Sequence, residues 1–375
     1  MDFSFTEEQT LLRNSVARYL ADNYTFEAWR KFTRSETGRD PKHWAQFAEL
    51  GLLAAPIAEA HGGLGGGAVS TMVVMQEFGR ALVVEPYVPT VVIGGGLIER
   101  SGSDAMKEEW LPKIAGGETI MAFAFAEPQG RYNLADLTTS AKTSGADYVL
   151  SGQKSVVLGA PWADQLIVTA RSSGGRRDAD GISVFLVDKK SKGISTRDFP
   201  TVDGNRASEI TFENVEVPAA RLIGGEGQGL ALVERAVDEA IAAHAAEATG
   251  AMKVLVDATV EYSKTRKQFG VPIGKFQVLQ HRMVDMFVNA EQAMSATLMV
   301  TLKLGESDAE RAKAASAAKA QIGKSGRFVG QGAVQVHGGM GMTDELNVGH
   351  YFKRLTMLDT LYGSVDHHLK RFAAA

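Results

Sequence analysis

The first third of the chain has apolar residues at helical spacing. Thr6-Glu-Glu-Gln9 is typical of a capping box, and the apolar residues that follow it recur at intervals of three and four. Further helices are predicted over 41–52, 70–82 and 104–114, and the glycine cluster of 62–67 predicts a loop between them. We therefore expect an all-helical domain over residues 1–117.

The pattern changes after residue 117. Short runs rich in β-branched or aromatic residues are separated there by Gly, Asp and Pro, which is typical of strands and turns. The runs begin at Tyr148, Ser155, Gln165, Ile182 and Glu209. They predict a compact β-barrel or β-sandwich domain over residues 118–223.

Long helical patterns return after the glycine-rich segment 224–229. They cover about 231–266, 276–304 and 308–330, with a shorter helix near the end of the chain. Long helices of this kind usually pack as an antiparallel bundle. Residues 224–375 are therefore predicted to form a four-helix bundle, and the fold class is α+β.

Composition and charge exclude several functions. The chain has 375 residues, a formal charge of −4, no polybasic run and no cysteine. These features disfavour nucleic acid or an anionic membrane as a partner, and they exclude disulfides, thiolate catalysis and cysteine metal sites. The eight histidines have no metal-ligand spacing, so no metal site is expected. Because Met1–Glu8 lacks the features of a signal peptide, we expect a cytoplasmic protein.

Two stretches, 262–270 and 335–341, carry the residues that a dinucleotide needs. A pyrophosphate is held by a fixed cation and by close backbone approach, which Arg266 and the pair Gly338-Gly339 provide. Gln335 offers donors and an acceptor for the pyrophosphate or the ribitol, and Phe269 is expected to pack at the adenine end. Taken alone, Arg266 is also compatible with a solvated last-turn residue, and the glycines with a helix stop.

The order of helices, β domain and bundle resembles the acyl-CoA dehydrogenase family, and the resemblance covers essentially the whole chain. Glu127-Pro128 resembles the family's Thr-Glu-Pro segment beside the flavin ring, Ser151–Lys154 its Gly-x-Lys hairpin, and 210–218 the strand that leaves the β domain. The resemblance implies FAD as the cofactor and a contact from Gln268. It also implies that the stretches 262–270 and 335–341 reach one flavin from different subunits.

The resemblance further implies α,β-dehydrogenation of an acyl-CoA thioester, with an electron-transferring flavoprotein as the acceptor. A carboxylate must remove the α proton while the thioester carbonyl is polarised by hydrogen-bond donors. The two positions where the family places its glutamate hold Gly363 and Ala240 here. The backbone N–H of Gly363 remains available to bind substrate, and Asp238 aligns with a family aspartate near the CoA moiety.

Several acidic residues near these positions are weak candidates for the base. Glu239 is turned by about 100° from the face of Ala240, and Glu247 shares that face but lies about 10 Å further along the helix. Asp366 or His367 would approach the flavin only if the last turn were rearranged. The sequence therefore leaves the catalytic base unassigned.

The two ends of the chain, 1–9 and 361–369, resemble the small subunits of two-component enzymes such as pimeloyl-CoA dehydrogenase and the steroid side-chain acyl-CoA dehydrogenases. Our hypothesis is an α2β2 tetramer in which a larger homologue supplies the carboxylate. The alternatives are a self-sufficient homotetramer with an unusual base, a non-catalytic scaffold subunit without flavin, and a flavin monooxygenase of the same fold.

Overall fold

The computed structural model describes residues 5–374, so residues 1–4 of the N-terminal segment lie outside it. Its first part is helical, as predicted. The capping box at Thr6 and Gln9 is confirmed, and Asp40 caps the third helix, with Pro41 in its first turn. The helices are α1 (Glu7–Asn23), α2 (Phe26–Thr33), α3 (Pro41–Glu49), α4 (Gly67–Ala81), α5 (Gly96–Ser101) and α6 (Asp104–Ala115).

A π-helical segment, Val88–Gly95, leads directly into α5, and the sequence pattern does not reveal it. The segment is almost completely buried and apolar. Thr90 is buried within it and exchanges hydrogen bonds with the backbone of Met121. The segment is thereby fixed to the first strand of the β domain.

The middle of the chain forms one eight-stranded sheet, mostly antiparallel, in the order β6-β7-β3-β2-β4-β5-β8, with β1 parallel to β4. The runs predicted at Tyr148 and Ser155 belong to a single strand, β3. That strand is bent by a register shift around Val156, whose φ is +51°. The strands are β1 (Met121–Ala124), β2 (Ser140–Ser144), β3 (Asp147–Leu158), β4 (Gln165–Arg171), β5 (Ile182–Asp188), β6 (Ile194–Pro200), β7 (Arg206–Val217) and β8 (Leu222–Ile223).

The last part of the chain consists of long helices, as predicted, with a short β-hairpin after the first of them. No helix within residues 5–374 is both long and apolar enough to cross a membrane. The elements are α7 (Gly229–Thr265), β9 (Lys267–Gln268), β10 (Val271–Pro272), α8 (Gln277–Lys303), α9 (Asp308–His337), α10 (Val348–Thr360) and α11 (Val365–Ala374).

Helix α9 continues seven residues beyond its predicted end at residue 330. Glycines disfavour a helix by about 1 kcal/mol each, which is why the pattern predicts an earlier stop. In the structure these glycines face neighbouring side chains: Leu355 packs over Gly326, Phe352 over Gly330, and Met286 against Gly332. Close packing therefore offsets the low helix propensity.

Contacts divide the chain into two compact units. One contains residues 5–31, 68–83 and 241–374, and the other contains 32–67 and 84–240. In the first unit α4 and α7 cross at glycines, because a Cβ on Gly79 would meet the Glu247 carbonyl oxygen at 1.9 Å and one on Gly250 would meet that of Gln76 at 2.0 Å. The predicted domain boundaries at 117 and 223 stay predictions.

Candidate functional site

The stretches 262–270 and 335–341 meet in a single chain. Tyr262, near the end of α7, stacks on His337, the last residue of α9, with ring centroids 4.3 Å apart. Between the two helix ends lies an open cleft of about 660 Å³. Its lining includes Arg266, Gln268, Arg282, Gln335, Gly338 and Gly339. Both stretches therefore face the same cleft of one chain. The expectation that they reach one flavin from different subunits stays a prediction.

The cleft contains two arginine side chains and a stretch of backbone without side chains, and these groups suit an anion. Arg266 and Arg282 are both exposed, and no acceptor for either guanidinium lies among residues 5–374. Apart from each glycine's own chain neighbours, no atom of residues 5–374 lies within 4 Å of the position that a Cβ would take on Gly338 or Gly339, and Gly338 has a φ of +62°. An anion can therefore approach the backbone there without a side chain in the way. This arrangement fits a pyrophosphate.

Other predicted cofactor residues lie at the edge of the cleft. Gln335 is exposed in the last turns of α9, and the Gln268 amide donates a hydrogen bond to the Lys267 carbonyl. Phe269 is outside the cleft lining: it occupies the tip of the β9–β10 hairpin with a φ of +53° and is 93% exposed. Its ring meets Phe276 edge-on at 6.1 Å. Any adenine contact by Phe269 stays a prediction.

The Glu127-Pro128 segment and the Gly-x-Lys hairpin come together inside the β domain. Lys154 donates to Glu127 at 2.9 Å, and both side chains are fully buried. Thr138 and Thr139 also donate to the Glu127 carboxylate. The Lys154 ammonium and the threonine donors overcome desolvation and lower the pKa of Glu127 to about 2. The Glu127 carboxylate is therefore fully used in holding the sheet, while Pro128 is exposed.

Gly363 lies in the loop between α10 and α11, in a conformation that suits only glycine. Its φ is +126°, and an added Cβ would stand 2.5 Å from His368 Nε2 and 2.6 Å from His367 Cδ2. Buried Lys319 donates to the carbonyl oxygens of Gly363 and Asp359, at 2.6 and 2.8 Å. The loop is thus packed around a residue without a side chain, so it has no room for a glutamate at this position.

The acidic candidates from the sequence are placed as follows. Glu239 accepts from Arg100 at 2.6 Å and from Arg235 at 3.3 Å, so its charge is already paired. Asp366 is exposed in the first turn of α11, where a carboxylate stabilises the helix dipole. Asp238 and Ala240 are fully buried on α7. The base and substrate roles of these positions stay predictions.

Glu247 belongs to a buried polar cluster on the first unit. Arg354 of α10 donates to both of its oxygens, at 2.5 and 2.9 Å, and His244 Nδ1 lies 2.8 Å from Oε2. The Arg354 and His244 contacts overcome desolvation and lower the pKa of Glu247 to about 2. Burial lowers the pKa of His244 below its ordinary value, although Glu247 opposes this. The cluster therefore holds an ionised carboxylate beside a neutral imidazole.

Sequence reasoning missed Arg282, Arg354 and His368 of α11. Arg282 is on α8, outside both motif stretches, and it reaches the cleft only through tertiary packing. Arg354 is separated from Glu247 by 107 positions. The spacing of His244 and Glu247, three residues apart on one helix, was the only local signal of the cluster.

Comparison with known proteins agrees with this geometry. Three family models match in order: the acyl-CoA dehydrogenase N-terminal domain over residues 6–118, the middle domain over 122–215 and the C-terminal domain over 227–375. The acyl-CoA dehydrogenase FadE12 of Mycobacterium tuberculosis is 33% identical over 92% of this chain and 90% of its own length.

Solved structures show the same fold. The chain is similar to the steroid acyl-CoA dehydrogenase Tcur3481-Tcur3483, a G363A variant in that protein's own numbering, with 28% identity, a TM-score of 0.89 and coverage of 98% and 97% of the two chains. It is also similar to the ChsE4-ChsE5 complex of Mycobacterium tuberculosis, with 25% identity, a TM-score of 0.90 and coverage of 100% and 98%. With most of its length matched by the family models, the chain belongs to the acyl-CoA dehydrogenase family.

Proposed function

We propose that the chain binds FAD with the pyrophosphate in the cleft between the ends of α7 and α9, and that it takes part in the α,β-dehydrogenation of an acyl-CoA thioester. Family membership supports the cofactor and the reaction class. The observation that carries the proposal is the cleft itself, where Arg266 and Arg282 face the bare backbone of Gly338-Gly339. Two cations match the two negative charges of a pyrophosphate.

Bound FAD supplies the hydride acceptor in this reaction. The protein residues bind and orient: Arg266 and Arg282 hold the anion, and Gln335 donates from the end of α9. The Gly363 N–H lies 3.5 Å from the Thr360 carbonyl, at the limit of a hydrogen bond, so it is available to a thioester oxygen. Lys319 fixes the loop through the Gly363 carbonyl and thereby orients this donor.

For the assembly, we propose a tetramer with a larger homologue and an electron-transferring flavoprotein as the acceptor. Helix α8 exposes apolar side chains that water disfavours, among them Val278, Val284, Phe287 and Leu302. Two of the solved neighbours bear names of paired proteins, Tcur3481-Tcur3483 and ChsE4-ChsE5. An apolar face on a long helix suits burial against another subunit, either a homologue or a second copy of this chain.

The cofactor assignment is tested by the colour of the purified protein. We expect a yellow protein with bound FAD, from the chain alone or after coexpression with a larger homologue encoded beside it. Size-exclusion chromatography with light scattering then separates a mixed tetramer from a homotetramer. A colourless protein in both preparations would contradict the proposal and favour a scaffold subunit.

A second candidate is a dehydrogenase that needs no base from a partner. The buried His244–Glu247 pair favours it, because an oriented neutral imidazole accepts protons as a carboxylate does. Anaerobic addition of acyl-CoA to the chain alone distinguishes the two candidates. Flavin reduction without the homologue supports the second candidate, and reduction only in its presence supports the first.

A further inference from the structure

His244 is held in one orientation by the buried cluster around it. Its Nδ1 lies 2.8 Å from Glu247 Oε2, and its ring lies nearly parallel to that of Tyr362, with centroids 6.0 Å apart. About 9% of the side chain remains exposed. The ring is therefore fixed on one side by a carboxylate and on one face by an aromatic residue.

The ionised Glu247 determines the tautomer of His244. Since Arg354 donates to both carboxylate oxygens, Glu247 keeps its negative charge. The ionised carboxylate accepts a hydrogen bond from Nδ1, so Nδ1 carries the ring proton. The other ring nitrogen, Nε2, then carries the lone pair. No hydrogen-bond partner for Nε2 lies within residues 5–374. A nitrogen with a free lone pair and a carboxylate on its far side is the arrangement of a general base.

His244 also lies beside the positions where the sequence lacks a carboxylate. Tyr362, on which its ring lies, is the residue before Gly363. Along α7, His244 follows Ala240 by four residues, about 6 Å or one helical turn. Side chains on a helix lean toward its N-terminus, which is the direction in which Ala240 lies along the sequence.

We propose that His244, oriented by Glu247, is the proton acceptor of this chain and replaces the missing glutamate. The inference rests on the second candidate of the proposed function, the dehydrogenase that needs no base from a partner, because a proton acceptor has a role only where an acyl-CoA is bound. Glu247 and Arg354 act as positioning residues. Nε2 takes the α proton of the thioester, and the electron pair of that C–H bond stays on the substrate as an enolate. The enolate electron pair would form the Cα=Cβ bond as the β hydrogen leaves with its own electron pair, a hydride that bound FAD would accept.

The charges around His244 set the pH range in which it accepts a proton. They are Glu247 on α7, Arg354 on α10 and Lys319 on α9, with Tyr362 on the loop. Burial, Arg354 and Lys319 lower the pKa of His244, and Glu247 raises it. The neutral form therefore predominates at pH 7. Proton removal should decline as the pH falls through a value below 6.5, the ordinary pKa of histidine.

The test is exchange of the α protons with solvent deuterium, using phenylacetyl-CoA. This thioester has α hydrogens but none on its β carbon, so it reports proton removal without dehydrogenation. The wild-type holoprotein, the variant His244→Gln and the control His61→Gln are compared after calorimetry has shown that each binds the thioester. Gln keeps a donor toward Glu247 but has no basic nitrogen. His61 has no side-chain hydrogen bond to any of residues 5–374 and belongs to the other compact unit.

We expect exchange by the wild type and by His61→Gln, with a loss of about 10²–10⁴-fold in His244→Gln at unchanged affinity for the thioester. Wild-type exchange should also decline below pH 6.5, a result that does not depend on any variant folding. Binding without exchange would overturn the inference and leave the proposed function intact. Exchange that appears only with the larger homologue and survives His244→Gln would assign the base to the partner. Failure to bind the thioester would overturn both proposals.

Discussion

The cofactor cleft and the α10–α11 loop show two ways in which a family site changes. The cleft is open and positively charged, and its cations point into solvent without acceptors in the described chain. The loop is buried and crowded: His367 and His368 occupy the space beside Gly363, and Lys319 binds its carbonyl. The cleft is open to a ligand. In the loop, His367 and His368 occupy the space that a side chain at position 363 would need.

The difference teaches that the α10–α11 loop is packed around a residue without a side chain at position 363. Around Gly363 the burial of His368 lowers the pKa of that imidazole to about 3, so it stays neutral, and Nε2 is paired with the Tyr362 carbonyl at 3.0 Å. A charged carboxylate would have no place in such packing.

The largest effect is expected from breaking the buried ion pair between Arg354 of α10 and Glu247 of α7. Arg354→Met should destabilise the protein by about 3–5 kcal/mol, because Glu247 is left charged and buried without its partner. Urea denaturation followed by circular dichroism measures this. The double variant Glu247→Leu/Arg354→Met should recover most of the loss. A cost below about 1 kcal/mol for the single variant would contradict the buried cluster.

A glutamate at position 363, where the resemblance to the family places one, should destabilise the protein without adding activity. Gly363→Glu is expected to cost about 3 kcal/mol, because it combines a strained φ with overpacking against His367 and His368. It should give no gain in turnover with acyl-CoA. Thermal unfolding and steady-state kinetics with an artificial electron acceptor check both points. A stable variant with higher turnover would show that the loop readily accepts a glutamate.

In the cleft, Arg266→Met should weaken FAD binding by about 1.5–3 kcal/mol, or roughly ten- to more than a hundredfold, with little change in stability. The matched control is Lys253→Met, which removes an exposed cation from α7, the helix that ends just before Arg266; Lys253 pairs there with Asp257. Fluorescence titration of the apoprotein with FAD provides the measurement. Equal losses in both variants would mean that only the net charge matters.

The smallest effect is expected at Asp366. Asp366→Asn should cost only about 0.3–1 kcal/mol, since the carboxylate acts on the dipole of α11 from an exposed position. Its rate of α-proton exchange should equal that of the wild type. A large loss of exchange would instead identify Asp366 as the base and would contradict the role given to His244.

Periodicity and capping predicted the helices because those signals are local. The capping box at Thr6 and the α+β order of helices, sheet and helices are confirmed. The end of α9 was missed because the stability of a helix at a buried glycine depends on the side chains that pack over it, here Leu355 and Phe352. The bend in β3 at Val156 was missed for a similar reason, since its partner strand β7 is distant in sequence.

In the candidate site, too, the residues in local motifs were predicted, whereas those that depend on distant partners were not. Arg266, Gln268, Gln335 and the two glycines were predicted to form one site, and in the structure they line one cleft. They lie in two short stretches, and the residue types within each stretch indicate anion binding without reference to the rest of the chain. His244 was not predicted, because its spacing from Glu247 on α7 is a weak local signal that does not reveal a buried ion pair. The Arg354 side chain that fixes its carboxylate comes from a helix 107 positions away.

The most direct measurement of the account's central claim is the mass of phenylacetyl-CoA recovered from deuterated buffer after incubation with the chain. The account predicts deuterium at the α carbon with the wild type and almost none with His244→Gln, while both proteins bind the thioester equally. Equal deuterium incorporation by the two proteins would contradict it.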